Sequence, residues 1–389
     1  MTRKNVIIVK SYYPLEKDPR LTKLLKMLEC GGYSITYMGW DRNCTTLFSS
    51  KQVKSERYKS IIMQASIPFG PKSFPFLFVW WLFVLTRLLK LEWDIVHVVN
   101  FPSIIPAIFA TKLKNKLIVY DIEDTTADQL PSMPNFLRSL GIIIEKSCMK
   151  AVSAVILVDE MQEIEFGGIP NPNYAVIYDS PSSLHLTSNQ STKEGGSFKI
   201  FYAGLLYRRR HLHLESLIKA IKNIEGVTII LAGEGDLVEE IRIKTLEMPE
   251  KVRYVGWLPY DKVLQMSYEA DLLVSLRGPN PLIHRYICGS KFLEALMCGK
   301  PILVNKGTST AIKVSRDNCG IVVDAHNIDQ VKEAILKLKD DRELCVALGM
   351  NGKKAYEQRY SWEIVQNRLL TLYSKIIDDP ARVLPITVS

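Results

Sequence analysis

Short runs of consecutive apolar residues recur along this chain, and helical patterns separate them. In the first half the runs are Val6–Val9, Tyr33–Met38, Ile61–Gln64, Ile95–Val99, Leu117–Tyr120, Ala154–Val158 and Tyr174–Ile177. Helical spacing falls between them, notably over Pro19–Cys30, Ser103–Leu113 and Pro134–Lys150. Most runs are hydrophobic throughout and do not alternate, the mark of parallel strands covered on both faces. The half reads as a doubly wound α/β domain.

The pattern restarts at Phe198. Strands are expected at Phe198–Ala203, Val227–Ala232, Val252–Val255, Leu272–Leu276, Pro301–Val304 and Ile321–Val323. Helices are expected near Glu215–Ile224, Leu237–Leu246, Ser290–Cys298, Asp329–Leu338 and Asp341–Gln358. Ser180–Ser197 is rich in Ser, Thr, Asn, Pro and Gly without periodicity and reads as a linker. A chain of 389 residues suits two domains. We expect a first domain over 1–185, a linker over 186–197, a second domain over 198–360 and a C-terminal helix and tail over 361–389. Two such domains leave a cleft at their strand C-terminal ends, where doubly wound sheets bind ligands.

Composition narrows the class. Hydrophobic residues at 47% and charged ones at 23% describe a folded protein, not a disordered one. The net charge of +9 favours anionic partners such as nucleotides or phospholipid headgroups, although a solvated basic surface reads the same way. No nucleic-acid recognition module accompanies that charge. Seven scattered cysteines with no Cys-x-x-Cys pair argue against a disulfide framework or a zinc ribbon. His211 and His213 have no partners at metal-ligand spacing, so no metal site is expected. No signal-peptide pattern precedes Val6, and the expectation is a cytoplasmic protein.

Phe74–Leu85 is apolar all round and runs into Thr86-Arg-Leu-Leu-Lys90. It falls short of the roughly 20 residues a spanning helix needs. Either it is a buried helix of the domain, or residues 74–90 lie at the inner face of a membrane as a peripheral contact. In the second case Trp80 and Trp81 would sit at headgroup depth, with Arg87 and Lys90 on phosphates.

The richest stretch for chemistry is Gly289-Ser-Lys-Phe-Leu-Glu-Ala-Leu-Met-Cys-Gly-Lys-Pro301 ahead of the strand at Ile302. A helix N-terminus carries partial positive charge and unpaired N–H groups, so it suits a phosphate. Glu294, one turn inside, can accept two adjacent hydroxyls, and one helix could hold a nucleoside diphosphate by both ends.

Several motifs then fall in a familiar order. They are Phe201-Tyr-Ala-Gly204, the cluster Arg208-Arg-Arg210, Ile230-Leu-Ala-Gly-Glu-Gly235, Val255-Gly-Trp-Leu-Pro259, Glu269-Ala-Asp271, Ser290–Pro301 and Tyr360-Ser-Trp362. Together they resemble the GT-B glycosyltransferases, specifically the retaining family 4. The first half is similar more loosely, through Asp18-Pro-Arg20, Asp94-Ile-Val-His97 and Val119-Tyr-Asp-Ile-Glu-Asp124. The resemblance implies an α/β GT-B fold: two Rossmann-like domains face a central cleft, and the C-terminal helix crosses back to the first. It implies transfer of a sugar from a UDP- or GDP-linked donor, with no bound metal, to a lipid-linked or glycan acceptor in surface polysaccharide, glycolipid or glycoprotein synthesis. A GT-B epimerase and a non-catalytic binding or assembly protein share the architecture and remain alternatives.

The resemblance also distributes roles. Arg209 and Arg210 stand where relatives carry a basic pair on the leaving diphosphate, though a solvated basic turn would read alike. Lys291 falls near the diphosphate, or is a solvated first-turn lysine. Gly204, Gly233, Gly235, Gly289 and Ser290 line the donor's backbone approach, and Glu294 holds the ribose. The family's first motif carboxylate falls at Tyr286 and is missing. Glu123 occupies the place of a sugar-contacting His and is expected to touch donor or acceptor, or else to cap a helix or lie at the surface. His97, alone within a strand, reads as a core residue.

Overall fold

The computed structural model describes residues 3–13, 15, 18–44, 49–54, 58–67, 76–125, 135–182, 197–208, 212–278 and 283–378. The chain folds into two compact units, Met1–Tyr178 with Val365–Ser389, and Asp179–Ile364.

The first unit is built on an eight-stranded sheet. Its strands are β1 (Asn5–Lys10), β2 (Ser34–Asp41), β3 (Ser49–Lys54), β4 (Lys59–Gln64), β5 (Ile95–Val99), β6 (Leu117–Ile122), β7 (Ala154–Leu157) and β8 (Tyr174–Val176), in the order β3-β4-β2-β1-β5-β6-β7-β8. Every pairing is parallel except that of β3 with β4. β3 was not expected, because Ser49-Ser-Lys-Gln-Val-Lys54 is nearly all polar; it forms the sheet's edge, where polar strands resist further pairing. The helices are α1 (Pro19–Cys30), α2 (Leu77–Lys90), α3 (Phe101–Lys114), α4 (Asn135–Lys150) and α5 (Met161–Phe166). The chain leaves β1 towards β2 but reaches β5 on β1's other side, so the strand order reverses between β1 and β5. Doubly wound sheets bind ligands outside the strand C-termini at such a reversal.

The second unit repeats the plan with six parallel strands: β9 (Phe198–Ala203), β10 (Val227–Ala232), β11 (Val252–Tyr254), β12 (Leu272–Ser275), β13 (Ile302–Asn305) and β14 (Gly320–Val323). Their order is β11-β10-β9-β12-β13-β14, with the reversal between β9 and β12. Its helices are α6 (Leu214–Ile221), α7 (Val238–Glu247), α8 (Tyr260–Glu269), α9 (Ile283–Tyr286), α10 (Ser290–Met297), α11 (Ser309–Asp317), α12 (Ile328–Asp340) and α13 (Arg342–Ala355). A π-helical turn, Tyr356–Tyr360, leads to α14 (Trp362–Asp378).

Residues 179–182 sit with the second unit and not with the first. Ser180 Oγ donates to the Tyr360 carbonyl, and Tyr356 OH donates to the Pro181 carbonyl at 2.6 Å. Most of the expected linker, 183–196, lies outside the described residues. From Val365 on, α14 belongs to the first unit, the return expected of the C-terminal helix. There the Tyr373 hydroxyl meets His97 Nδ1 at 2.7 Å, and Leu370 fills the space beside Gly31.

Of the two readings of Trp80 and Trp81, the structure bears out the buried helix. Trp80 is fully buried, stacks on Trp40 with ring centroids 5.6 Å apart, and donates its indole N–H to Ser103 Oγ at 3.0 Å. Trp81 is partly buried and donates to the Pro102 carbonyl at 2.9 Å. Both rings fasten α2 to the core and to α3, so neither is at headgroup depth. Position within the turn decides this, since α2 is apolar on every face and hydropathy cannot show which side points inward. Among the described residues no helix is long and apolar enough to cross a membrane. Trp80→Ala is expected to cost about 3–5 kcal/mol of unfolding free energy, whereas Phe78→Ala on the opposite side changes it by less than about 0.5 kcal/mol. Urea unfolding of the two variants checks the pair.

Candidate active site

In the second unit the strand reversal gathers Gly204 after β9, Arg277 after β12 and the start of α10. Gly204 and Gly233 have φ of 151° and 135°, in the left-handed region that favours glycine. They are also packed backbone to backbone: a Cβ on Gly233 would lie 1.8 Å from the Gly204 carbonyl oxygen. Likewise a Cβ on Gly235 would lie 2.2 Å from the Leu206 carbonyl oxygen. Hydrogen bonds from Gly204 N to Ala232 O and from Leu206 N to Glu234 O complete this seam. Gly233 and Gly235 are thus required by the close approach of two loops, whatever else they do.

Gly204 faces the other way. A Cβ there would fall 2.5 Å from Lys291 Nζ, so the missing side chain is the space the lysine occupies. Lys291 is buried, and its ammonium lies 4.8 Å from the Tyr202 ring centroid, a cation–π arrangement. It is therefore not the solvated first-turn lysine. α10 starts with Gly289 as its N-cap and no side-chain cap hydrogen bond, and the Phe292 N–H turns back to the Gly289 carbonyl at 3.0 Å.

Arg277 was not singled out from the sequence. Its Nη1 lies 3.4 Å from where a Cβ on Gly289 would be, and its Nε is buried with no hydrogen-bond partner among the described residues. Asn305 Nδ2 anchors its carbonyl at 3.1 Å. Two cations, Arg277 and Lys291, thus flank a positive helix end. Such a gathering is unfavourable by itself and becomes favourable when an anion is bound. The available signal was a lone arginine ending an apolar strand just before Gly278-Pro.

Glu294 is buried at the fifth position of α10. Burial and the Glu294 charge push the Tyr260 phenol well above its usual range. Ser290 opens α10, and Tyr286, the position of the absent carboxylate, closes α9. Arg208 pairs at the surface with Glu240 at 2.5 Å, while Arg209 and Arg210 lie outside the described residues.

The first unit holds a second charged cluster, at the reversal between β1 and β5. Lys10 Nζ reaches Asp18 Oδ2 at 2.5 Å and Glu123 Oε2 at 2.6 Å. Arg20 reaches Asp121 Oδ1 at 2.9 Å through Nη2 and Glu123 Oε1 at 3.3 Å through Nε. Glu123 is thus neither a helix cap nor a surface residue. Asp18 serves as the N-cap of α1, accepting from Leu21 N at 3.0 Å. His97 is buried between Tyr373 and Asp121, as expected of a core histidine. Asn100 supports the site from below: its Oδ1 accepts from Glu123 N and Asp124 N at 2.8 and 3.1 Å. It does so with φ 63° and ψ 166°, a region that side chains other than glycine rarely enter.

Three carboxylates share two cations here, and burial together with the cations each one meets sets their protonation. Burial would raise Asp121, but Arg20 and His97 hold it down to about 2. Glu123 is pushed up to about 7 by burial, which Lys10 and Arg20 offset only in part and to which Asp18 and Asp121 add.

Comparison with known proteins finds a family match over the second unit. Residues 186–355 match the family model described as "Glycosyl transferases group 1". Among curated relatives is a GDP-mannose-dependent monoacylated alpha-(1-6)-phosphatidylinositol monomannoside mannosyltransferase of Corynebacterium glutamicum, 27% identical over 41% of this chain and 42% of the relative. Another is the capsular polysaccharide biosynthesis glycosyltransferase CapM of Staphylococcus aureus, 23% identical over 47% of each chain. The matches span less than half of these relatives' length. Among solved structures, sucrose-phosphate synthase from Thermosynechococcus elongatus superposes with a TM-score of 0.74 at 16% identity, covering 97% of this chain and 100% of that one. Anabaena HepE, in complex with UDP and glucose, gives 0.68 at 15% identity, covering 96% and 100%. The fold is GT-B.

The raised Glu123 carboxyl has a sign that can be measured. A folded-state value of about 7 against an ordinary 4.5 means the proton stabilises the folded protein, an advantage lost as pH rises through 7. Glu123→Gln removes that loss. The stability difference, variant minus wild type, is expected to grow by about 2 kcal/mol between pH 5 and pH 8 in chemical unfolding. A difference that stays flat contradicts the assignment.

Proposed function

We propose that this chain transfers a sugar, with retention, from a nucleoside diphosphate sugar to a lipid-carried or glycan acceptor at the inner face of a membrane. The observation that carries the reading is the pairing of Arg277 and Lys291 at the uncapped start of α10, beside Gly204. Departure of the diphosphate develops negative charge on its terminal phosphate. A preorganised guanidinium, an ammonium and helix N–H groups stabilise that charge with no bound metal. Arg209 and Arg210, following the β9 loop, would add to it. Glu294, one turn further along α10, accepts the ribose hydroxyls while Gly289 and Ser290 present backbone to the phosphates.

The relatives support both ends of the reaction. The corynebacterial relative is named for GDP-mannose and a phosphatidylinositol mannoside, CapM for capsular polysaccharide, and HepE was solved with UDP. The donor is accordingly a UDP- or GDP-sugar. At the other reversal point, the reading assigns Glu123 to a sugar hydroxyl of donor or acceptor.

Thermal stabilisation across a panel of UDP- and GDP-sugars identifies the donor, and NMR of the product reads its anomeric configuration. Arg277→Ala and Glu294→Gln are each expected to weaken the best donor at least tenfold, about 1.4 kcal/mol. Donor affinity that survives both substitutions sinks the site assignment, and an inverted product sinks retention.

A further inference from the structure

With Trp80 and Trp81 turned inward, a different set of α2 residues faces solvent, and neighbouring helices extend it. Phe78 is 71% exposed and Leu82 lies one turn on. On α3, Phe109 and Leu113 are exposed, the latter at 68%; on α4, Phe136 at 70% and Ile143 are exposed as well. α2 packs on α3 and α3 on α4, over one shared core. The connections β4→β5, β5→β6 and β6→β7 all advance in the same direction across the sheet. Right-handed crossovers therefore lay α2, α3 and α4 on a single face, running the same way.

Charge on this layer is one-sided. The final turns of the three helices carry Arg87 and Lys90, Lys112 and Lys114, and Lys150, so most of the cations gather along one edge of the layer; Arg138 stands in the first turn of α4, and Lys146 is tied to the Phe166 carbonyl at 2.8 Å. Lys90, Lys112 and Lys150 are exposed, whereas Lys114 is tied to the Leu91 carbonyl and to Glu92 at 3.4 Å. Arg87 donates to Ser50 Oγ. The one acidic residue within the three helices, Glu145, is buried and accepts from Tyr120 at 3.3 Å.

We infer that the outer face of α2, α3 and α4 docks on an anionic lipid bilayer. The phenylalanine and leucine side chains enter the headgroup–acyl boundary, and Lys90, Lys112 and Lys150 meet lipid phosphates. Interfacial helices hold membranes by this combination of apolar burial and attraction to anionic lipid. A second copy of the chain is a poorer occupant, because an isologous contact uses the same three helices on both sides, and their one carboxylate, Glu145, is buried and leaves the lysines unmatched. The surface lies wholly in the first unit and stands or falls separately from donor binding in the second.

Co-sedimentation of the full chain tests this, using vesicles of phosphatidylcholine alone and of phosphatidylcholine with phosphatidylglycerol in equal parts. Wild type is expected to bind the mixed vesicles about tenfold or more tightly than the neutral ones, with the gap closing as salt is raised. Phe78→Glu with Leu113→Glu is expected to lower binding about tenfold or more. Should that pair fail to fold, Phe136→Glu with Ile143→Glu on α4 reads the same surface. Lys90→Gln with Lys112→Gln should erase the preference for anionic lipid. Wild type that binds neither vesicle, or a folded apolar-face variant that binds as wild type does, overturns the proposal. So does a wild-type dimer in light scattering that these substitutions dissolve.

Discussion

The contact between the Gly204 carbonyl and the bare Cα of Gly233 is the constraint on which the second unit's site depends. Any side chain at Gly233 would occupy the carbonyl's place, so the loops after β9 and β10 can close on one another only as glycine. That closure fixes the end of β9, and the end of β9 decides whether Lys291 has room. Backbone packing, cation placement and an uncapped helix end are successive consequences of one steric fact. Arg277 joins them from β12, the strand on the other side of the reversal, with its carbonyl held by Asn305. A helix N-terminus would ordinarily be capped by a serine, threonine or aspartate. Here no side chain caps it and positive charge surrounds it, a local cost that an anionic ligand offsets.

The first unit solves the same topological problem with the opposite electrostatic balance. At its reversal point the cations are outnumbered by carboxylates, and they are consumed in pairing with them. Glu123 is left as the group that titrates near neutrality. Asn100 holds that carboxylate's backbone at the expense of its own conformation, and strain of this kind persists only where the surroundings over-determine it. One sheet end is therefore built to receive negative charge and the other to present groups that exchange hydrogen bonds and protons. The repeated fold does not impose this difference; it follows from which side chains end β1, β6, β9 and β12.

The architecture was legible because its signal is collective. Nearly every parallel strand announced itself as an apolar run, and the motif order from Phe201 to Trp362 located the second unit's strands. Individual side chains were less legible, for identifiable reasons. β3 carries almost no apolar residue, since an edge strand needs none. Lys10, Asp18 and Arg20 lie far from Glu123 in the chain, and only the placement of β6 next to β5, one strand away from β1, brings them together. Arg277 is one arginine at the end of a strand, and only its position against Gly289 gives it meaning. Lys291 and Glu294 were visible because one short helix carries both, so their spacing was local.

α2 shows where hydropathy stops being informative. In Leu77–Lys90 the residues packed inward and those facing solvent are equally apolar, so amphipathicity does not mark a core side. What separates them is hydrogen bonding: the two tryptophans carry N–H groups that need acceptors when buried, and Ser103 and the Pro102 carbonyl provide them. Phenylalanine and leucine have no such need and are free to face outward. The residues most often associated with membrane interfaces are thus the ones this fold holds inside. The outward apolar face is left to side chains whose burial elsewhere would satisfy no polar group.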